Sequence, residues 1–405
     1  MSWEYKTLDQ LGEVSRGRSK HRPRNDPSLF GGEYPFIQTA DVKAANFYIT
    51  EYDTTYNEKG LAQSKLWHPG TLCITIAANI ADTGILAMDA CFPDSVMGFL
   101  PYEGVADVRF VKYCFDILQQ NCKKISQGAA QDNLSWEKLS TILFPAPPIE
   151  VQKRIADMLS VYDDLIENNQ KQIKLLEEAA QRLYKEWFVD LRFPGHETTP
   201  ITDGIPEGWQ YSPLSEVFDF VRGKSYTSKE LSDTVGVLMA NLKNIRAFGG
   251  YKRNAEKRFT GQFKENQTLA AGDVVMGVTD MTQERRLVGH VALVPDMGEP
   301  MTFSMDLIKI IPKLTDKLFV YSALYYGGLS KQISPLANGV NVLHLKPEAM
   351  MGIEMLIPHD AIVRAYHERI SPIIVRIEAL QKQCDIAAEA RDRLLPKLMN
   401  GEIEI

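Results

Sequence analysis

The stretch Phe144–Phe188, "FPAPPIEVQKRIADMLSVYDDLIENNQKQIKLLEEAAQRLYKEWF", decides the fold of this chain. Its apolar residues recur in steps of three and four, which is the a/d pattern of a coiled coil. The prolines of "PAPP" predict that the helix begins after them, and "FPG" (Phe193–Gly195) predicts where it ends. About 39 helical residues make a rod of roughly 58 Å. The predicted seam comprises Ile155, Leu159, Tyr162, Ile166, Asn169, Ile173, Leu176, Ala180, Leu183 and Trp187.

A second stretch, Ile357–Glu402, repeats this pattern near the end of the chain. Pro372 predicts a kink in the first turns, and Pro396 and Gly401 mark the end of the helix. Two seams of matching length are most simply buried against each other, within one chain and antiparallel, although a coil with another chain is an alternative. Asn169 would then fix the register. The second seam comprises Val363, Tyr366, Ile370, Ile373, Ile377, Leu380, Cys384, Ala387, Arg391, Leu394 and Leu398.

The remainder of the chain is an internal repeat. "SWEYKTLDQLGEVSRGRSK" (Ser2–Lys20) resembles "GWQYSPLSEVFDFVRGKSY" (Gly208–Tyr226). "HPGTLCITIA" (His68–Ala77) parallels "AAGDVVMGVT" (Ala270–Thr279), and each is a turn that leads into a short apolar strand. Four pairs of identical residues in the first two segments are spaced 206 positions apart: Trp3 and Trp209, Leu8 and Leu214, Arg16 and Arg222, Gly17 and Gly223.

The repeat predicts an α/β (α+β) fold, with two similar mixed domains joined by a long intramolecular antiparallel coiled coil. An antiparallel helix pair would relate the domains by an approximate two-fold rotation, which is also the local symmetry of duplex DNA. Because the domains differ in sequence, we expect two different half-sites, at a spacing set by the rods. The predicted segments are residues 1–145 (domain 1), 146–193 (central helix), 194–208 (linker), 209–358 (domain 2) and 359–405 (distal helix and tail).

Four segments resemble the specificity subunit of type I restriction-modification systems, over essentially the whole chain. Three surround the central helix and linker: "FPAPPIEVQKRIADMLSVYDDLIENN" (Phe144–Asn169), "AQRLYKEWFVDLRFPGHE" (Ala180–Glu197) and "GIPEGWQY" (Gly204–Tyr211). The fourth is "YPFIQTADV" (Tyr34–Val42). The distal copy departs from this pattern, because "IPHDAIVRAYHERI" (Ile357–Ile370) lacks the second proline pair and the Gln.

The resemblance implies a non-catalytic subunit with two target-recognition domains. Its partners would be double-stranded DNA, two methyltransferase subunits docked on the helices and, through them, restriction subunits. The expected target has two short specified parts around an unspecified spacer and is methylated on adenine N6. The chain itself would hold no cofactor, since S-adenosylmethionine, and ATP with Mg for restriction, would belong to the partner subunits.

An independent search for catalytic chemistry agrees with this expectation. The sequence has no Gly-rich cofactor loop followed by an Asn/Asp-Pro-Pro-Tyr/Phe tetrapeptide, no HExxH and no GxSxG, and its seven histidines lack zinc-ligand spacing. Five cysteines without a CxxC pair, together with the absence of a signal peptide or a long apolar run, predict a cytoplasmic protein without a membrane span. The net charge of −7 predicts weak, salt-sensitive DNA binding by the isolated chain.

Local clusters of basic and amide side chains are the candidates for DNA contact, since Arg and Lys bind phosphate and guanine while Asn and Gln suit adenine. Solvated loops and turn or capping roles are the alternative for each of them. Asn79, Gln127, Asn241, Asn244 and Asn338 are further amide candidates. The predicted DNA-binding residues are Arg16, Arg18, Lys20, Arg22, Arg24, Gln38, Gln131 and Asn133 in domain 1, and Arg222, Lys224, Tyr226, Lys243, Arg246, Lys252, Arg253, Lys257, Arg258, Arg285, Arg286 and Asn341 in domain 2.

A different class of function also fits the repeat and the rods. A coiled-coil adaptor that holds two protein-binding domains, with no role in DNA binding, would need the same architecture. The family-like segments and the paired basic loops favour the DNA-recognition hypothesis over the adaptor.

Overall fold

The computed structural model describes residues 3–76, 81–125 and 136–403. These residues form two compact units, which are considered separately. Unit 1 comprises the chain up to Lys171 together with the segment from Gln381 onward, and unit 2 comprises Gln172–Leu380. Each unit therefore contains one globular domain and one part of each long helix.

Unit 1 is a mixed α/β domain with short strands. Its strands are β1 (Glu4–Lys6), β2 (Gly12–Arg16), β3 (Phe30–Pro35), β4 (Tyr48–Ile49), β5 (Thr55–Tyr56), β6 (Leu66–Trp67), β7 (Leu72–Thr75), β8 (Thr83–Leu86), β9 (Ala90–Cys91), β10 (Val96–Pro101) and β11 (Phe144–Ala146). Its helices are α1 (Leu8–Leu11), α2 (Thr39–Ala44), α3 (Glu58–Ala62), α4 (Val108–Ile125), α5 (Trp136–Leu139) and the first part of α6 (Ile149–Phe188).

Unit 2 repeats this arrangement. Its strands are β12 (Ile201–Thr202), β13 (Ile205–Pro206), β14 (Gln210–Pro213), β15 (Phe218–Arg222), β16 (Leu231–Ser232), β17 (Val237–Ala240), β18 (Lys257–Phe259), β19 (Thr268–Leu269), β20 (Val274–Gly277), β21 (Thr279–Asp280), β22 (Val291–Leu293), β23 (Met301–Phe303), β24 (Leu307–Pro312), β25 (Leu343–His344) and β26 (Glu354–Ile357). Its helices are α7 (Leu214–Val217), α8 (Lys317–Tyr325), α9 (Leu329–Ile333) and α10 (Asp360–Met399), whose last residues belong to unit 1.

The strand order confirms the internal repeat. In unit 1 the main sheet has the order β2-β10-β7-β8-β4, and in unit 2 the corresponding sheet has the order β15-β24-β20-β22. Gly12 of β2 faces Pro101 of β10, just as Phe218 of β15 faces Pro312 of β24. A two-stranded ladder precedes the long helix in both units, β1 with β11 and β14 with β26. The two domains thus share the order of four main-sheet strands and the ladder before the long helix despite their different sequences.

The two long helices are each 40 residues in length, and α6 begins where the prolines predict. Helix α6 starts directly after Pro148. Helix α10 continues through Pro372 and ends at Met399, between the two residues that were predicted to mark its end.

The helices pair antiparallel, and each unit shows the direction by itself. In unit 1, Asp163 accepts from Arg391 and, further along α6, the Asn169 amide donates to Gln383 Oε1 at 3.2 Å. In unit 2, Gln172 Oε1 accepts from the guanidinium of Arg376 at 3.3 Å and, further along α6, the ring of Tyr184 lies 6.2 Å from that of Tyr366. In each unit, residues further along α6 contact residues earlier in α10, so the two helices run antiparallel. The predicted intramolecular coiled coil is therefore confirmed. Buried seam residues are Ile155, Leu159, Ile166, Asn169, Ile173, Ile370, Ile377 and Leu380, and half-buried ones are Leu176, Leu183 and Leu394.

One seam residue differs from the prediction. Asp163, and not the neighbouring Tyr162, is fully buried at this turn of α6. Its carboxylate accepts hydrogen bonds from the Tyr113 hydroxyl and from the guanidinium of Arg391. A buried carboxylate is tolerated here because both partners remain within the same unit and satisfy its oxygens.

Candidate nucleic-acid interface

The first basic loop leaves the edge of the unit 1 sheet at an Arg-Gly pair that recurs in unit 2. Arg16 ends β2 and Arg222 ends β15. A Cβ on Gly17 would lie 2.3 Å from the Pro93 carbonyl oxygen, and one on Gly223 would lie 2.0 Å from that of Ser304. Only glycine permits such a close backbone approach. The same local geometry therefore directs a basic loop away from each sheet.

The five cations of the unit 1 loop are not equivalent. The Arg22 guanidinium donates to the Ser19 carbonyl at 2.7 Å, and Arg24 forms an ion pair with Asp94 at 2.7 Å. These two side chains support the loop itself. Three exposed cations form no ion pair within the part of the chain that the structure describes: Arg16, Arg18 and Lys20.

Of the five amide candidates of unit 1, the structure describes only Gln38. Gln38 directly precedes α2, where its backbone N–H donates to Asp41 Oδ2 at 2.7 Å and its side-chain amide donates to Thr54 Oγ1 at 3.3 Å. Gln38 thus has a local capping function, although the residue as a whole is exposed. Four other amide candidates lie outside the described residues: Asn79, Gln127, Gln131 and Asn133.

In unit 2 the residues of the second Arg-Gly loop have partners of their own. The Arg222 guanidinium donates to both oxygens of Glu348, at 2.6 and 2.9 Å, and this interaction lowers the pKa of Glu348. The Lys257 ammonium donates to the Tyr226 hydroxyl at 2.8 Å. Lys224 follows Gly223, pairs through its backbone with Ser304 and is half-buried.

The densest basic segment of unit 2 forms a groove of about 740 Å³. Four cations line it, against one carboxylate, that of Glu256. Glu256 accepts hydrogen bonds from Tyr251 and Asn244 at 2.9 Å, so its charge is already engaged. The groove has the charge and concavity to hold a phosphate backbone. The cations are Lys243, Arg246, Lys252 and Lys257.

Two other arginines of this segment are held by acceptors of unit 2. Arg258 forms a bidentate pair with Glu299, at 2.8 and 3.0 Å, and this raises the pKa of the guanidinium while lowering that of Glu299. The Arg253 guanidinium donates to the Asp296 carbonyl at 3.1 Å. Their available charge is therefore smaller than the sequence suggests.

Asn241 and Asn244 are buried and do not offer their amides to a ligand. The Asn241 amide donates to the Ala255 carbonyl at 2.7 Å, and that of Asn244 to the Lys252 carbonyl at 2.9 Å. Both residues shape the loop that carries the basic groove, which is the turn or capping role given as the alternative for them.

Three predicted residues of unit 2 lie on neighbouring loops. Arg285 and Arg286 belong to the loop 281–287, and Asn341 belongs to the loop 338–342. Strands β21 and β25 pair beside them, with Asp280 facing Leu343, and therefore hold the loops together. The exposure of Met281 and Val340 in these loops was not predictable from the sequence, because a hydrophobic residue is not recognisable as exposed from its type alone.

The helices expose a second apolar stripe that is distinct from the buried seam. Met158, Val161 and Leu165 of α6 in unit 1 are 45, 64 and 42 % exposed. Their spacing of three and four places them on one face. Contiguous exposed apolar side chains on a helix are typical of a surface that binds a partner.

Other classes of site receive no support from the residues the structure covers. Among them no group of three or more His, Cys, Asp and Glu side chains could hold a metal ion. No helix in those same ranges is long and apolar enough to cross a membrane.

Comparisons with known proteins match the whole length of the chain. The type I restriction modification DNA specificity domain matches twice, over residues 1–178 and 206–384. The chain is 26 % identical over 430 residues to the type I restriction enzyme MjaIX specificity subunit of Methanocaldococcus jannaschii, covering 100 % of this chain and 94 % of the relative. It is 21 % identical to the HindI specificity subunit of Haemophilus influenzae, covering 97 % and 98 %.

A solved structure shows the same fold. The type I restriction-modification S subunit from M. genitalium superposes with a TM-score of 0.58 at 14 % identity, covering 98 % of this chain and 96 % of that one. Both sequence repeats fall within the matched domains, one in each unit. The chain therefore belongs to the type I restriction-modification DNA specificity family.

Proposed function

We propose that each unit binds one half of a bipartite, asymmetric DNA target, and that the chain directs methyltransferase subunits, and through them restriction subunits, to that target. As a member of a DNA specificity family, the chain is a recognition subunit and not an enzyme. One observation carries the proposal: the two units share a sheet order and an Arg-Gly loop exit but differ in the side chains that their loops expose. One scaffold with two sets of readers suits a target with two different halves.

The recognition domains in this proposal are residues 1–145 and 209–358, with a linker at 194–208. The segments 146–193 and 359–405 would be the helical regions on which partner subunits dock. Gln131 and Asn133 are retained as candidate readers of the first domain, together with Gln38.

Contacts to phosphate would come chiefly from cations that have no acceptor in their own unit. Lys243 and Lys252 meet this condition in the described part of unit 2, as do Arg16, Arg18 and Lys20 in that of unit 1. Such contacts position the protein and carry no sequence information. Base readout would come from loops with amide and guanidinium groups, such as Arg285, Arg286 and Asn341.

The phosphate contacts can be tested with the complex of this chain and its methyltransferase subunits. The double variant Lys243→Ala/Lys252→Ala should weaken binding to specific and nonspecific duplexes alike. It should also reduce the slope of log K against log salt by about two, one for each lost contact. A matched control, Lys43→Ala/Lys59→Ala, removes the same charge from α2 and α3 of unit 1 and should leave the slope unchanged. An unchanged slope in the first variant would reject the groove as a phosphate site.

Methylation mapping tests the whole proposal. Base-resolution maps of the host genome with the gene intact and deleted should differ by one bipartite adenine-methylated motif. An unchanged map, in a host where the partner subunits are expressed, would favour the adaptor without a DNA role.

The partner-binding part of the proposal rests on the apolar stripe of α6. Val161→Asp with Leu165→Asp should abolish co-purification with the methyltransferase subunits while the fold persists, because both side chains are exposed. Lys153→Asp is a suitable control, since it also adds negative charge to exposed α6, near its N-terminus, where acidic residues are tolerated. Retained co-purification of the first variant would exclude this face.

A further inference from the structure

Two side chains of unit 2 stand out by their exposure. Val340 is 87 % exposed and Met281 is 78 % exposed, the highest values for large apolar residues in the described ranges. Burial of such side chains is normally favourable, and isolated exposure of both at neighbouring loop tips therefore leaves apolar area available to a ligand.

The two loops are joined into one platform. Strands β21 and β25 form an antiparallel ladder in which Thr279 faces His344 and Asp280 faces Leu343. Beyond the ladder, the Gln283 amide donates to the Val340 carbonyl at 2.8 Å. Met281 and Val340 are thus held on adjoining loops by backbone pairing and by a bridging side chain.

Asp280 preorganises the loop that carries Met281. Its carboxylate is fully buried and accepts hydrogen bonds from the Thr282 N–H and hydroxyl, both at 2.8 Å, and from the Leu287 N–H at 2.6 Å. Burial by itself raises the pKa of Asp280, but these hydrogen bonds outweigh it and lower the pKa overall. The carboxylate thus closes the loop and leaves Met281, the next residue, pointing away from the core.

The surroundings of the platform are polar and basic. Arg285 has a φ of 53° and its Nε forms no hydrogen bond within the described residues. Arg286 is paired with Glu284, whereas Gln283 and Asn341 are exposed amides. Guanidinium and amide groups are the side chains that read base edges in the major groove.

Resting on the proposed function, we propose that Met281 and Val340 contact thymine 5-methyl groups in the major groove of the half-site bound by unit 2. The thymine methyl group is the apolar feature of that groove. Valine is short and restricted at χ1, which suits surface contact with a methyl group. Surface contact follows from this for Val340, whereas the longer Met281 could also insert between base pairs as Phe, Leu and Met wedges do, and the measurement of DNA bending separates the two modes.

The test replaces thymine with deoxyuridine, which removes only the 5-methyl group. The complex with methyltransferase subunits is assayed for competitive binding to its mapped target, with one thymine of the half-site replaced at a time. At least one replacement should weaken binding by about three- to fivefold, the effect of one buried methyl group. Met281→Ala or Val340→Ala should weaken binding to the thymine duplex by a similar factor and should then be insensitive to that replacement.

Controls separate this inference from the proposed function. Val235→Ala changes a 61 % exposed valine in the turn between β16 and β17 and should keep full sensitivity to deoxyuridine. If no thymine replacement matters to the unmodified complex, or if both alanine variants keep the sensitivity, the methyl contact is rejected while half-site recognition stands. A half-site without an A·T pair would also reject it. Loss of DNA bending in the variants without deoxyuridine sensitivity would identify a wedge instead.

Discussion

The two units hold their helices with different chemistry at corresponding positions. Asp163 and Arg391 are the 15th residue of α6 and the 32nd of α10, and both belong to unit 1. In unit 2 the corresponding residues are Ile374 and Ala180. Tyr113 of α4, which donates to Asp163, corresponds to Ser322 of α8 when the helices are aligned at their N-terminal aspartates.

In place of this ion pair, unit 2 packs aromatic side chains around its helices. Phe188 lies between Tyr184 and Phe319, both at 5.0 Å between ring centroids, and is 4.9 Å from Tyr366. The corresponding residues of unit 1 are aliphatic: Leu395 for Tyr184, Met399 for Phe188 and Ile155 for Tyr366. One fold thus accepts either a buried ion pair with an aliphatic core or an aromatic core without charge. Packing requires volume and satisfied polar groups, and both solutions supply them.

The largest expected effect is the loss of the buried carboxylate. Asp163→Ala should lower the free energy of unfolding by about 3 kcal/mol, because it removes the buried partner of Arg391 and leaves that guanidinium only the exposed Asp392 at 2.8 Å. Urea unfolding at neutral pH measures this. A control variant carries the corresponding residues of unit 2 at all three positions. This variant, Tyr113→Ser/Asp163→Ile/Arg391→Ala, should recover most of the lost stability. If the triple variant is less stable than Asp163→Ala, the two solutions are not interchangeable.

The next largest loss of stability is expected from a substitution near the N-terminus of α6. Gln152 accepts from the Asp107 N–H at 3.1 Å and donates to the Val105 and Pro147 carbonyls at 2.9 Å, whereas unit 2 has buried Val363 at the same helix position. Gln152→Val should cost about 2–3 kcal/mol, since three backbone groups lose their partner. The unfolding midpoint in urea reports it. A neutral result would show that apolar packing alone suffices at both helix starts.

Removing one tyrosine hydroxyl from each unit tests the difference between the polar contact of unit 1 and the aromatic packing of unit 2. Tyr113→Phe should destabilise by about 1–3 kcal/mol, because the Asp163 carboxylate loses a donor. Tyr366→Phe should change stability by less than about 0.5 kcal/mol, since the Tyr366 hydroxyl makes no hydrogen bond within the described residues. Ser322, which affects the pKa of Tyr366, donates its own hydrogen to the Leu318 carbonyl. Equal effects in thermal or urea unfolding would remove the distinction between the units.

The smallest expected effect is a pH dependence confined to unit 2. Burial lowers the pKa of His290, which packs edge-to-face against Phe248 at 5.6 Å. The unfolded chain takes up a proton below its usual pKa of about 6.5, whereas the folded state does so only at lower pH. His290 therefore contributes stability above about pH 6.5, and this contribution is lost as the pH falls through the folded pKa.

The matching measurement follows urea midpoints between neutral pH and pH 5. The difference between the wild type and His290→Gln, which cannot titrate, should shrink as the pH falls. Parallel curves would mean that His290 does not contribute to stability through its charge state. Asp82 precedes β8 in unit 1 as His290 precedes β22, so no histidine titration is expected at that position of unit 1.

The hydrophobic periodicity of the sequence and the positions of its prolines were sufficient to predict much of this architecture. The heptad steps, the prolines before α6 and the internal repeat correctly predicted two mixed domains and an antiparallel intramolecular pair of helices. These features are local in the chain, so they can be recognised without knowledge of tertiary contacts. The burial of Asp163 in place of Tyr162 could not be predicted, because it depends on Tyr113 and Arg391, which are distant in sequence.

The candidate DNA-binding site was likewise only partly predictable from the sequence. Clusters of Arg and Lys were visible in the sequence, and the proposed phosphate groove is formed by four of them. Which cations already have acceptors in the fold, as Arg222 and Arg258 do, was decided by distant carboxylates. The sequence left Asn241 and Asn244 as candidate readers with a turn or capping role as the alternative, and both are buried in their own loop. The set of DNA-contacting residues and the domain boundaries remain predictions.

By itself, the sequence determined the repeat, the helix lengths and the seam, because hydrophobic periodicity and proline act over a few residues. Only the tertiary structure decided which polar groups are satisfied and which are exposed. Burial and hydrogen-bond partnership arise from segments that meet in space, and so Met281 and Val340 became conspicuous only after folding brought their loops together.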